Sequence, residues 1–279
     1  MIKISTLQVG PRLGGGGQGD VFELPDDPEH LVKRYRPEVT VDEAGLVALV
    51  DWRAGLPPKD GAIIAKHTAW PQEIVDCEDG TFGIIMKRAP DPFWHTVEGK
   101  RLPRDLSWAY LQDSARFAGL TTPPPRAAVQ LMIQLATVLD VLHRNGVVYG
   151  DLSAANALWT GGTAPNLFVI DCDAAQVQGR PRALDVAQTL QWSCPWPGVE
   201  GRERDEFKLA LAFLRLYFCY EGPIDLSTQN LLVPDHPPVS RAAADLVTAG
   251  LQQLSVRPSA GDWLPVLRHL AKGLRARGL

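Results

Sequence analysis

The sequence lacks the features that mark secreted, membrane-embedded and zinc-binding proteins. Its four cysteines are scattered, without a C-x-x-C pair or a histidine at metal-ligand spacing, so neither a disulfide framework nor a zinc site is expected. The longest apolar run, at 207–220, is interrupted by Lys208 and Arg215 and falls short of the about 18 residues of a membrane span. The first residues, MIKISTLQVG, lack the apolar core of a signal peptide. These absences predict a reduced, soluble, cytoplasmic protein without a membrane partner.

A strong excess of positive charge is also absent. The formal net charge is −4, whereas proteins held on nucleic acid by phosphate contacts need clustered Lys and Arg, so no nucleic-acid partner is expected. Apolar residues make up 45% of the chain and charged residues 22%, which are ordinary values for a folded globular protein. A chain of 279 residues is long enough for two lobes, each with its own core.

The pattern of the chain predicts an α+β protein whose β-rich part comes first. Short β-branched or aromatic runs, bounded by Pro, Gly and Asp, predict strands, and a segment with helical spacing lies between them. The predicted strands are FELP (22–25), HLVKRY (30–35), GAIIAKHTAW (61–70) and TFGIIMK (81–87), and the predicted helix is 39–55.

After residue 88 the pattern becomes mainly helical. A helix is predicted over 105–119, and a second, long helix follows the prolines at 123–125 and ends before Gly146. The runs ALW (157–159) and LFVI (167–170) predict a hairpin, and most of the remainder reads as helix. The predicted units are therefore 1–88 and 89–279.

A Gly-rich segment, LGGGGQGDVFEL at 13–24, suggests a phosphate-binding loop. Glycines let backbone N–H groups approach phosphate oxygens that a side chain would keep away, although a flexible turn is the alternative interpretation. A dinucleotide-binding loop would need a helix directly after it, and here a strand and PDDP follow. The candidate nucleotide-binding residues are Gly14, Gly15, Gly16, Gly17, Gly19 and Val21, of which 14, 16, 19 and 21 fit G-x-G-x-x-G-x-V.

Lys33 follows this loop by a single strand and could meet the phosphates as a point charge. An isolated strand lysine more often points into water. A lysine in a phosphate site needs a carboxylate to hold it, and Glu43 in the next helix is the first candidate, Asp42 the second and Asp51 the third.

The stretch YGDLSAAN places Asp151 and Asn156 five residues apart, directly after the long helix. Asp151 could accept the proton of an attacking hydroxyl, and Asn156 could ligate a divalent cation. Asp171 ends the apolar strand of VIDCD and is a hard oxygen ligand suited to Mg²⁺. Each of these three residues could be an ordinary turn residue. The Gly-rich segment, Lys33, Asp151, Asn156 and Asp171 nevertheless follow one another in the order expected of an enzyme that transfers phosphoryl groups.

Together these motifs resemble a divergent bacterial branch of the serine/threonine protein kinase-like superfamily over nearly the whole chain. Members of this branch carry AWP, G-x-x-M, GD in place of RD and D-x-D in place of DFG. The corresponding segments here are AWPQEIV (69–75), GIIMKRA (83–89), YGDLSAAN (149–156) and IDCDAAQV (170–177). Further on, RDEFKLALAF resembles the buried kinase helix that begins with Asp, here Asp205, and SVRPSAGDW resembles the late R-P-S/T segment, here Arg257.

The resemblance implies a bilobal kinase-like fold, with a β-rich N-lobe, a helical C-lobe and ATP in the cleft between them. It implies that Lys33 contacts the phosphates and pairs with Glu43, and that Asp151 is the catalytic base. Asn156 and Asp171 would then hold Mg²⁺ or Mn²⁺. The hinge that receives adenine would comprise Met86, Lys87 and Ala89.

The chain departs from the kinase pattern at several positions. Gly150 replaces the Arg that pairs with a phosphorylated activation loop, and Ser153 replaces a Lys near the transferred group. Asp173 stands at the Gly of DFG; it could approach the metal, but it is expected to face solvent. The A-P-E Glu has no clean counterpart; Glu200 is the nearest acid, and its pairing with Arg257 is left open.

Two classes of function follow. The first is an active, ATP-dependent kinase acting on Ser or Thr hydroxyls of a protein, with a phosphatase or adaptor as a possible partner. The second is a pseudokinase, a nucleotide-binding scaffold. The tryptophans in CPWPG and DPFWH could belong to its partner surface, although core packing is the expected role for most of the eight Trp. A small-molecule kinase is a weaker third option, because the Gly-rich loop and R-P-S segment belong to the protein-kinase side of the superfamily.

Overall fold

The architecture is mixed α+β, with a multi-strand N-terminal sheet and a mostly helical remainder. The computed structural model describes residues 1–185, 189, 191–222, 239–252 and 256–278. The predicted unit 89–279 also includes 186–188, 190, 223–238, 253–255 and 279, which lie outside the described residues.

Six strands form the N-terminal sheet. They are β1 (Ile2–Lys3), β2 (Arg12–Gly15), β3 (Gly19–Glu23), β4 (His30–Tyr35), β5 (Pro71–Asp76) and β6 (Phe82–Lys87). Their order is β1-β5-β6-β4-β3-β2, with β1 parallel to β5 and all other neighbours antiparallel. The strand predicted at 30–35 is confirmed, and the one predicted at 81–87 is confirmed but begins at Phe82. The strand predicted at 22–25 overlaps β3 only at Phe22 and Glu23.

Eight helices are present in the described part of the chain. They are α1 (Glu43–Ala54), α2 (Pro58–His67), α3 (Ser107–Tyr110), α4 (Gln112–Phe117), α5 (Pro125–Arg144), α6 (Gly201–Phe218), α7 (Arg241–Leu251) and α8 (Ala260–Ala276). The helix predicted at 39–55 is confirmed as α1, and the one predicted at 105–119 is divided into α3 and α4.

Three small antiparallel pairs complete the description. β7 (Trp94–Val97) pairs with β8 (Lys100–Pro103), β9 (Val147–Val148) with β12 (Gln176–Val177), and β10 (Ala157–Trp159) with β11 (Leu167–Val169). The β10–β11 pair confirms the predicted hairpin. The β7–β8 hairpin was not expected, because its residues carry no regular alternation of apolar and polar side chains.

The strand predicted at 61–70 is wrong, because these residues belong mostly to helix α2, and the next strand begins only at Pro71. Pro58 occupies the first helical position, where its missing N–H costs nothing. Ile64 of α2 is fully buried in the main hydrophobic core, and α2 packs against α5. A short apolar run does not distinguish helix from strand, so tertiary packing decides.

Helix α5 confirms the long helix of the sequence prediction. Gly146 follows its end with φ +73°, the left-handed conformation that glycine adopts at helix ends. Within the described residues, α5 is also the one helix long and apolar enough to cross a membrane, but most of it is buried inside the protein. Its apolar composition is therefore accounted for by the core that it forms.

Strand β4 determines where Lys33 points. Successive side chains of a strand alternate between the two faces of a sheet, so Leu31, Lys33 and Tyr35 share one face. Leu31 and Tyr35 belong to the main hydrophobic core, whereas Val32 on the opposite face belongs to a second, smaller core. Lys33 therefore points toward the helical part of the protein and not into water.

Candidate functional site

A cavity of about 410 Å³ lies between the Gly-rich hairpin, the sheet and the segments around Asp151 and Asp171. Twelve of the residues predicted to form the site line it together. They are Gly14, Gly15, Gly16, Gly17, Gly19, Val21, Lys33, Met86, Lys87, Ala89, Asp151 and Asp171. Segments far apart in sequence thus converge on one space, and two further predicted residues, Glu43 and Asn156, are not part of its lining.

The glycines of the β2–β3 hairpin serve two different purposes. The Gly16 N–H donates to the Gly19 carbonyl at 2.9 Å and closes the turn. A β-carbon on Gly19 would collide with the carbonyl oxygen of Arg34 on the neighbouring strand, so this position requires glycine for strand packing. A β-carbon on Gly14, Gly16 or Gly17 would meet no atom within 4 Å, so glycine at these positions leaves the backbone open to the cavity.

Lys33 is held by two carboxylates. Its side chain is 5% exposed, and its Nζ lies 2.8 Å from Asp173 Oδ2 and 3.2 Å from Asp171 Oδ1. Burial alone would lower the pKa of Lys33, but the two carboxylates outweigh it and the pKa is raised. Lys33 is therefore a fixed positive charge at the wall of the cavity.

Asp173 does not face solvent, so that expectation is wrong. The residue is fully buried, and its Oδ2 accepts a hydrogen bond from the Tyr35 hydroxyl at 2.8 Å in addition to its contact with Lys33. The cause is the short 3₁₀ turn Cys172–Ala174, which follows Asp171 and directs Asp173 toward β4. Within the described residues, Asp173 Oδ1 has no hydrogen-bond partner.

The predicted pair of Lys33 with Glu43 is not formed. Glu43 is the first residue of α1 and is exposed, and with Asp42 and Asp51 it borders a separate cavity beside Arg180. Asp42 instead caps the helix by accepting from the Gly45 N–H at 2.9 Å. The face of α1 that is buried in the protein consists of Gly45, Leu46 and Leu49, none of which is an acid.

Asp151 and Asn156 contact each other directly. The Asn156 Nδ2 donates to the backbone oxygen and to Oδ2 of Asp151, both at 2.9 Å, which leaves the amide oxygen of Asn156 for a cation. Asp151 Oδ1 has no partner among the described residues. Burial raises the pKa of Asp151 to about 6, against the lowering effects of Lys208 and of the Asn156 hydrogen bond. Asp151 thus borders the cavity with a carboxyl group of raised pKa, whose Oδ1 is itself buried.

The loop that carries Asp151 is fixed by Asp205 of α6, as the buried position predicted for this residue suggests. Asp205 is fully buried and accepts from the backbone N–H groups of Tyr149 and Gly150, both at 2.8 Å, and from His143 Nε2 at 3.0 Å. Gly150 has φ +79°, a conformation that residues with a β-carbon rarely adopt. The backbone at position 150 therefore favours glycine.

Asp171 combines an unusual backbone with an accessible carboxylate. Its φ is +52°, in the left-handed region, and its side chain is 41% exposed where it borders the cavity. Sparsely populated backbone conformations of this kind concentrate at functional sites. In the described part of the chain, no cluster of three or more His, Cys, Asp or Glu side chains forms a metal site. The accessible carboxylate of Asp171 suits Mg²⁺, which is commonly held by one or two protein oxygens together with phosphates and water, whereas Asn156 is buried and lies outside the cavity lining.

The segment after β6 forms the apolar wall of the cavity and contains residues that the sequence interpretation missed. Met86 and Ala89 are buried there, and the Trp94 Nε1–H donates to the Ala89 carbonyl at 2.9 Å. Trp94 and Pro103, from opposite strands of the β7–β8 hairpin, both line the cavity. The sequence left open whether Trp94 of DPFWH belongs to a partner surface or packs inside the protein. An aromatic residue soon after Ala89 was the available signal for a cavity wall.

A cation beneath Asp151 was also missed. Lys208 on α6 is buried and donates from Nζ to the Gly150 carbonyl at 3.2 Å. Among the charges near Asp151, Lys208 is the strongest one lowering the pKa of that carboxyl. Ser153, which replaces the expected loop Lys, is itself buried. The positive charge near Asp151 therefore comes from α6 and not from the loop.

Arg257 pairs with Glu203, whereas the sequence had left open a pairing with Glu200. Arg257 Nη1 lies 3.5 Å from Glu203 Oε2, and its other nitrogens donate to the carbonyls of Gly250 and Gln252. Glu200 is instead the residue before the first turn of α6. Arg257 thus links the start of α6 to the end of α7.

Comparison of the chain with protein-family models and with curated proteins finds no match. The functional interpretation consequently depends on the site itself.

Proposed function

We propose that the chain is an ATP-dependent protein kinase with a bilobal kinase-like fold, acting in the cytoplasm on Ser or Thr hydroxyls of a protein. The observation that carries the proposal is the convergence of Lys33, Asp151 and Asp171 on one cavity beneath a Gly-rich hairpin. Phosphoryl transfer depends mainly on positioning and charge stabilisation, and these residues supply a cation, a base and a metal ligand.

The apolar part of the cavity suits the adenine of ATP. Met86, Ala89 and Trp94 line one region, and the Gly-rich hairpin and Lys33 line the region that would receive the phosphates. Lys33 would contact the phosphates as a point charge. Asp171 and the amide oxygen of Asn156 would hold Mg²⁺ or Mn²⁺. When bound, the metal neutralises charge on the phosphate oxygens.

Asp151 would act as the general base. The hydroxyl oxygen of the substrate attacks the γ-phosphorus, the bond to the bridging oxygen of ADP breaks, and Asp151 takes the hydroxyl proton. Its position at the cavity and its pKa of about 6 suit this role near neutral pH. The Asn156 hydrogen bonds to Asp151 orient the carboxylate.

The loss of the usual Arg affects regulation more than chemistry. Gly150 cannot pair with a phosphate on the activation segment, so activation by phosphorylation of that segment is not expected. Control would come from a partner such as an adaptor, or from a phosphatase acting on the product.

The test measures binding and transfer separately. A saturating ligand stabilises a folded protein by about 2.7 kcal/mol at a hundredfold excess over Kd, so ATP with Mg²⁺ should raise the melting temperature. Transfer of the terminal phosphate to the chain itself or to a generic protein acceptor is then followed. Asp151→Asn should abolish transfer and keep binding, whereas Asp171→Asn should lose the metal-dependent part of binding.

Two outcomes would contradict the proposal. The absence of any melting shift at millimolar ATP would exclude a nucleotide site. Binding without transfer in the unmodified protein would leave the pseudokinase, a nucleotide-binding scaffold, as the function.

A further inference from the structure

We infer that Asp173 is the residue that positions Lys33 for nucleotide binding, in the place where a helix carboxylate was expected, so that α1 does not complete the site. This inference rests on the proposed function. It concerns which part of the protein holds the phosphate-binding lysine and therefore which movements can switch the site on or off.

The first support is the geometry of the contact. Asp173 Oδ2 lies 2.8 Å from Lys33 Nζ and 2.8 Å from the Tyr35 hydroxyl. Lys33 and Tyr35 are two residues apart on β4 and therefore project from the same face of the sheet. Their two donors converge on one oxygen and fix the position of the Asp173 carboxylate.

The second support is the difference in exposure between the two carboxylates that meet Lys33. The Asp173 side chain is 1% exposed and the Asp171 side chain 41% exposed. Water and salt screen a buried charge pair much less than an exposed one, whereas a metal ligand must be reached from the cavity. Asp173 therefore holds Lys33 in position, and Asp171 faces the cavity.

The third support is the composition of α1. Its buried face carries Gly45, Leu46 and Leu49, and a β-carbon on Gly45 would lie 2.5 Å from the Ala183 nitrogen. The helix thus packs directly against the segment that follows Asp173, and no space remains on that side of Gly45 for a long acidic side chain. Glu43 is exposed at the start of the helix.

The consequence is that the contact between Asp173 and Lys33 joins two parts of the protein that are distant in sequence. Asp173 and Asp171 belong to one short segment after β11, while Lys33 belongs to the N-terminal sheet. One contact therefore sets the lysine and holds the sheet to the segment that carries the metal ligand. Displacement of α1 alone would leave Lys33 in place.

The test compares two isosteric variants, Asp173→Asn and Glu43→Gln, by ATP titration at several Mg²⁺ concentrations. A misplaced Lys33 loses charged hydrogen bonds to phosphate, so Asp173→Asn should weaken ATP binding by about tenfold to hundredfold. Asp171 would become the remaining carboxylate partner of Lys33, so the Mg²⁺ concentration needed for half-maximal binding should rise. Glu43→Gln should leave both values unchanged.

A double-mutant comparison separates positioning from a merely structural role. If Asp173 acts through Lys33, Asp173→Asn should not weaken ATP binding further in a Lys33→Met background. Equal weakening in both backgrounds would overturn the inference. If Asp173→Asn does not fold, Tyr35→Phe removes one of the two donors to the same oxygen and should weaken binding by a few-fold through the same route.

The inference and the proposed function fail in different ways. Unmodified protein that binds ATP, together with an unchanged Asp173→Asn or a weakened Glu43→Gln, overturns the anchoring role and leaves the kinase proposal standing. Unmodified protein that does not bind ATP overturns both.

Discussion

Replacement of Asp205 by Asn tests how strongly α6 holds the loop that carries Asp151. The carboxylate accepts from the Tyr149 and Gly150 N–H groups and from His143, with no exposure to water. In the variant, one acceptor oxygen becomes an NH₂ group that opposes a buried donor. A lost charged hydrogen bond and an orphaned buried donor each cost about 1 to 3 kcal/mol, so the expected loss is about 3 kcal/mol.

This loss corresponds to a decrease in melting temperature of roughly 6 to 12 °C. Urea denaturation followed by circular dichroism measures the free energy of unfolding. The matched control is Asp113→Asn in α4, whose side chain is 94% exposed and which should change stability by less than about 0.5 kcal/mol. If Asp205→Asn cost no more than Asp113→Asn, the argument that buried donors depend on Asp205 would be refuted.

Three further predictions follow from the site. Asp151 must be ionised to accept a proton and has a pKa of about 6, so the initial transfer rate should fall as pH decreases through about 6. Lys208 lowers this pKa, so Lys208→Met should move the midpoint of the pH profile to higher pH. Gly19→Ala should destabilise the protein by about 1 to 3 kcal/mol because its β-carbon meets the Arg34 carbonyl, whereas Gly16→Ala should be nearly neutral in the same urea denaturation. Gly150→Arg should cost about 1 to 2 kcal/mol because its φ is +79°, and equal stability would contradict that reasoning.

The sequence by itself was sufficient where short-range patterns carry the information. The run HLVKRY predicted its strand because β-branched and aromatic residues lie between turn residues, and the long apolar helix before Gly146 followed from its three- and four-residue spacing. The spacing within YGDLSAAN placed Asp151 and Asn156 near each other, and their side chains are hydrogen-bonded. These results depend on interactions within a few residues, which the sequence displays directly.

Tertiary structure decided what depends on contacts between distant segments. The Tyr35 and Asp173 side chains, which meet at one oxygen, are 138 positions apart, and no local pattern indicated that Asp173 and not Glu43 would meet Lys33. The segment at 61–70 contains β-branched residues, yet Ile64 is buried in the main core and the segment is helical as far as His67. In both cases the outcome depends on the burial of a side chain, charged in the first case and apolar in the second. Burial depends on neighbours that only the folded chain brings together.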